Sequence, residues 1–124
     1  MQMIAWLFLL AAFLPFFAAL AAKAGAKGFT NEEPRPWLAQ LQGWRGRANA
    51  AQANTFEALP FFYAAVLFAL WSSVDPATVS SFMIAWIIAR LLYLGVYIAG
   101  LGLVRSLIWT IALGINIALL FQAV

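Results

Sequence analysis

The chain contains no cysteine and no histidine among its 124 residues. Without cysteine there is no disulfide framework, no thiolate nucleophile and no zinc–thiolate site. Four carboxylates without histidine argue against a transition-metal centre. Charge is scarce as well: only 9% of residues are Asp, Glu, Lys or Arg, and the formal net charge is +3. So small and scattered an excess does not make a nucleic-acid-binding face. Any catalysis must draw on Arg, Tyr, Glu, Ser or Asn, or on a reactive group that the substrate brings.

What the chain does have is apolar surface, 66% of its residues being hydrophobic. A soluble domain of this size could not bury that much, so the bilayer is the natural solvent. Residues 1–124 read as a single all-α membrane domain with spans at about 3–22, 48–73, 77–100 and 104–124. The first run, "MIAWLFLLAAFLPFFAALAA", has no Lys or Arg ahead of it and is long for the apolar region of a signal peptide. We therefore read it as a span, although "ALAAKAGA" would also suit cleavage. The connections "SVDPA" and "AGLGL" are short, which makes neighbouring helices antiparallel. Only residues 23–46 could hold structure of their own. There "PRPWLAQLQGW" sets Trp37, Leu38, Leu41 and Trp44 on one side of a short interfacial helix.

Lys23, Lys27, Arg35 and Arg45 lie in that long connection, Arg47 at its edge, and Arg105 beside the last connection. The middle turn carries only Asp75. By the positive-inside rule both basic connections face the cytoplasm and both termini the other side. Trp6 and Trp71 would then mark the far interface, Trp37 and Trp44 the near one.

Two ionisable residues fall deep within spans, Glu57 in the second and Arg90 in the third. A charge at a helix centre costs about 2.5–3.5 kcal/mol on insertion. Both lie ~14–17 Å below the cytoplasmic interface at ~1.5 Å per residue, so a Glu57–Arg90 contact is expected. Arg47, Asn54 and Glu57 share one face by spacings of seven and three. Arg90, Tyr93 and Tyr97 share another, and Arg105 opens the last span. One reading is a polar clamp between helices. The other is a half-buried site for an anionic ligand, because these cations and hydroxyls exceed what one carboxylate can satisfy. Asn116 and Gln122 are expected to form interhelical hydrogen bonds or to be exposed near the far end, and Asn49 and Gln52 to be solvated at the interface.

The second-span pattern Asn54-x-x-Glu57-x-x-Pro60-x-Phe62, behind Arg47-Ala48, resembles the membrane-associated proteins in eicosanoid and glutathione metabolism (MAPEG). "ARLLYLGVY", with Arg90, Tyr93 and Tyr97, and "RSLIW", with Arg105, are similar to the same family. "NEEPRPWLAQLQGWRGRA" resembles the first loop of bacterial members, which implies a protein of the bacterial inner membrane. The resemblance implies a left-handed four-helix bundle, assembled as a homotrimer, binding glutathione as cosubstrate and taking a lipophilic small molecule from membrane lipid. It places Arg47, Asn54, Glu57, Arg90, Tyr93 and Tyr97 on glutathione and Arg105 on its thiolate, with Tyr97 either donating a hydrogen bond to the sulfur or only positioning the peptide, and it allows the Glu57–Arg90 pair to form between neighbouring subunits. The implied activity is glutathione transferase or peroxidase. The alternative is a non-catalytic member held by a Glu57–Arg90 clamp. The chain departs from the pattern at Ala50, where many members carry arginine. A proton-coupled exporter fits less well, since its carboxylate belongs in a first span that here has no charge.

Overall fold

The computed structural model describes residues 1–124 and contains five helices: α1 (Gln2–Lys23), α2 (Pro34–Ala39), α3 (Gly43–Trp71), α4 (Pro76–Ala99) and α5 (Gly102–Phe121). All but α2 are long and apolar enough to cross a membrane. The helices α3 and α4 sit centrally; α1 packs against both, and so does α5.

Alanine sets the approach of α1 to α3. Ala18 of α1 meets Ala51 of α3, and Ala22 meets Ala48 beside Leu38 of α2. Where lipid tails are as apolar as side chains, small residues bring helices together through dispersion contacts rather than through hydrophobic exclusion. Toward the Asp75 end the packing changes to large side chains. Phe62 of α3 stacks on Trp86 of α4 with ring centroids 3.9 Å apart, among Leu14, Val66 and Met83.

The turns follow local chemistry. Asp75 accepts a hydrogen bond from the Thr78 amide at 3.1 Å, and Pro76 opens α4 where no amide partner is needed. At the other end Gly100 adopts φ +82°, with Gly100 N–H donating to Tyr97 and Leu101 N–H to Val96. This is a Schellman closure, which leaves only two residues before α5. The end of α3 closes in the same way, Ser73 N–H donating to Leu70 and Val74 N–H to Ala69, but with Ser73 at φ +63°. A side chain in that conformation is strained. Ser73→Gly is expected to raise the unfolding midpoint in detergent, by about 0.5–1 kcal/mol of stability.

Two boundaries differ from the sequence-based expectation. The short helix ends at Ala39, so Leu41 lies beyond it and Trp44 belongs to α3. And α3 starts at Gly43 rather than near residue 48, because its polar first turns have work at the helix ends around them. The Arg45 guanidinium donates to the carbonyls of Ala22 and Ala24 at 3.0 and 2.6 Å, closing the end of α1, and stacks on Trp44. The Arg47 Nε donates to Ile98 O at 2.9 Å, at the end of α4. Both are cations on the negative ends of helix dipoles, meeting carbonyls that lack a helical donor.

Candidate functional site

The polar residues of α3, α4 and α5 converge in the half of the bundle nearer the basic end, and Arg90 is at their centre. It is 1% exposed. Its Nη2 donates to Asn54 Oδ1 and to Thr55 Oγ1, each at 3.0 Å. Thr55 in turn donates to Ala51 O one turn back. The expected Glu57–Arg90 contact does not form within the chain. Glu57 has the matching height but points outward and is exposed, while Asn54, on the side of α3 turned toward α4, reaches the guanidinium first. Arg90 Nε is buried with no hydrogen-bond partner. The guanidinium therefore has neutral partners only, plus the face of Tyr93 at 4.1 Å from the ring centroid.

From Arg90 a ladder of rings and guanidiniums runs toward the basic end. Tyr93, buried, meets Tyr97 edge-on at 5.6 Å between centroids. The Arg105 guanidinium lies 4.6 Å from the Tyr97 centroid, reaching across from the first turn of α5. The spacings of three and four along α4 put these rings on one face, as the sequence suggested. Together with Asn54, Ser106, Trp109 and Thr110 they line a groove of about 450 Å³ between α4 and α5. Ser106 and Thr110 donate back to the carbonyls of Gly102 and Ser106, which leaves their oxygens free to accept.

A second cavity of about 220 Å³ continues deeper from Asn54 and Trp109. Glu57 and Arg90 both border it, so the two charges share a space without touching. Asn116 also borders it; it is 3% exposed and its Oδ1 has no partner. It is thus neither an interhelical hydrogen bond nor an exposed residue, contrary to expectation. Asn49 and Gln52 are not simply solvated either. Asn49 donates to Leu38 O at 3.4 Å, and Gln52 Oε1 is buried without a partner, both beside a cleft that includes Arg35.

Of the sequence-derived set, Asn54, Arg90, Tyr93, Tyr97 and Arg105 come together around the groove and its extension. Glu57 joins only at the outer edge of the cavity, and Arg47 lies apart, its Nε committed to α4. Sequence reading missed Thr55, Trp86 and Trp109. A threonine one position from Asn54, and tryptophans spaced toward Arg90 and Arg105, were the available signals. No group of three or more Asp, Glu, His or Cys residues gathers anywhere in the chain.

In a bundle built to bury apolar side chains, the groove offers a free guanidinium, two phenols and an amide to a ligand rich in acceptors. Neither curated proteins nor solved structures give a match to this chain. Among known protein families, the MAPEG family matches residues 3–124. Four membrane-length helices and a match over nearly the entire sequence lead to one assignment: the chain is an integral membrane protein of the MAPEG family, whose members belong to glutathione and eicosanoid metabolism.

Proposed function

We propose that the groove binds glutathione and that the protein is a glutathione transferase or peroxidase acting on lipophilic electrophiles. The observation that carries this reading is Arg90, a buried guanidinium with no carboxylate partner, an unpartnered Nε and a polar groove beside it. A buried cation of that kind is stable when an anion completes its shell, and a glutathione carboxylate supplies one. Asn54, Tyr93 and Tyr97 add neutral hydrogen bonds, and Glu57 receives the ammonium of the γ-glutamyl end. Arg47 lies outside this groove with its Nε on Ile98, so its terminal nitrogens would meet the ligand only from a neighbouring copy.

The reactive group then comes from the ligand. The Arg105 guanidinium makes no hydrogen bond within the chain, and the residue lines the groove. Its charge favours the thiolate over the thiol, with Tyr97 donating to the sulfur. The thiol proton passes to solvent at the basic end. In the transferase reaction the thiolate attacks an electrophilic carbon, a carbon–sulfur bond forms, and any displaced group departs with its electron pair.

Glu57 is exposed, and a carboxylate facing hydrocarbon alone is costly. That supports a homotrimer in which a neighbouring copy covers it. Basic residues at one end support a cytoplasmic opening, with both termini on the other side of a bacterial inner membrane. Titration calorimetry on the detergent-purified chain tests the reading, with the ultraviolet thiolate absorbance followed in parallel. Saturable glutathione binding with a thiolate signal near neutral pH is expected. Absence of binding at millimolar glutathione would remove the enzyme assignment, leaving Arg90, Asn54 and Thr55 as a clamp between α3 and α4.

A further inference from the structure

Asn116 presents an energetic problem that the glutathione reading does not use. Its Oδ1 is buried and accepts no hydrogen bond within the chain, and it stands on α5 fourteen residues past Gly102, ~21 Å from that end at ~1.5 Å per residue. A buried acceptor without a partner costs about 1–3 kcal/mol. At that depth lipid tails offer nothing in return. Leucine would fill nearly the same volume at no such cost, so the amide implies a partner that comes from outside the chain.

The space beside it describes that partner. The cavity of about 220 Å³ is walled by Phe61, Trp86 and Trp109, with Arg90 and Glu57 nearer the basic end. An apolar cavity of about 150 Å³ accommodates benzene, so this one has room for one substituted ring or two fused rings. Aromatic walls favour a flat aromatic guest through offset and edge contacts. The amide both donates and accepts, and a hydroxyl does the same, so an alcohol satisfies Asn116 in either orientation of its amide. Trp109 is 43% exposed at the edge of the cavity, which leaves an approach from the bilayer side.

We propose that this cavity binds a compact aromatic alcohol, its ring against Trp86 and Trp109 and its hydroxyl on Asn116. Because Asn54 and Trp109 border both spaces, the guest lies next to the groove that holds Arg105. Its binding does not depend on the glutathione reading.

The test uses para-fluorophenol and para-fluorotoluene, which differ only in hydroxyl against methyl. Each is titrated by fluorine NMR into the detergent-purified chain without glutathione, and empty micelles correct for partition. The wild-type protein is expected to prefer the phenol by about tenfold, the ratio one buried hydrogen bond supplies. Asn116→Leu should abolish the preference while still binding the fluorotoluene. If that variant does not assemble, Asn116→Ala removes the same amide and enlarges the cavity. Equal binding of the two probes by the wild type, or a preference that survives loss of the amide, overturns the proposal. Since glutathione is absent, these results bear on the cavity alone, and a failed glutathione titration bears on the functional reading alone.

Discussion

Arg105→Ala is expected to abolish the thiolate absorbance of bound glutathione near neutral pH and to cut turnover about 100-fold, with a much smaller effect on glutathione affinity. The asymmetry follows from position. Arg105 stands on α5 over the Tyr97 ring, away from Arg90 and Asn54, so its charge acts on the end of the ligand where they do not. A half-buried cation a few ångströms from sulfur is worth about one to two units of thiol pKa. A free thiol of this kind titrates near 8.5. The cation favours the charged form, lowers the thiol pKa and enlarges the thiolate fraction at neutral pH. Without it the rising limb of the pH–rate profile moves up by one to two units. The variant should therefore recover toward wild type above about pH 9, where solvent alone deprotonates the thiol. Arg105→Lys should retain part of the signal, since a point charge survives without the fork. A variant with unchanged thiolate absorbance would show that Arg105 does not face the sulfur.

Arg90→Met is expected to fold as well as the native chain while losing about 100-fold in glutathione affinity. Burying a guanidinium costs about 2.5–3.5 kcal/mol on insertion scales. In return Arg90 donates two hydrogen bonds to neutral acceptors and makes a cation–π contact, together about 4 kcal/mol at the low end of their ranges. These nearly cancel. Methionine fills the space with a flexible apolar chain, and its removal of the charge orphans little. Thr55 still donates to Ala51, and Asn54 is partly exposed in the groove. Binding has no such compensation, because charge-assisted hydrogen bonds to a ligand carboxylate are worth about 1.5–3 kcal/mol. Circular dichroism through a thermal ramp, beside glutathione calorimetry, separates the two effects. Loss of helical structure together with binding would make Arg90 a structural clamp, and with it the non-catalytic reading would prevail.

How far the sequence could be read depended on the kind of information each element carried. Apolar run length located α1, α4 and α5 to within a few residues, because spanning length is set by the bilayer and not by neighbours. Helical spacing correctly grouped Arg90, Tyr93 and Tyr97, since residues three and four apart on one helix share a face. Within one chain the Glu57–Arg90 pairing does not form, for a definite reason. Counting residues from an interface gives depth, but contact also needs the rotation of each helix about its axis. Packing sets that rotation, and the alanine seam between α1 and α3 turns Asn54 and Thr55, rather than Glu57, onto Arg90. The start of α3 was misplaced for a related reason. Polar residues at 43–47 resemble the end of a span, whereas they continue the helix to reach carbonyls of α1 and α4. Asn116 could be seen as polar but not as unpartnered, since that depends on what surrounds it.

The fastening of α1 and α4 by the first turns of α3 has a consequence for biogenesis. On the orientation proposed above, Arg45 and Arg47 are free charges before the helices meet, and they resist translocation of their segment. Once the bundle closes, the same guanidiniums are bound to Ala22, Ala24 and Ile98. One pair of residues thus serves twice in succession, first as an address and then as a latch. Lysines in their place would keep the address but weaken the latch, so the chain would still enter the membrane the right way round and then close less firmly.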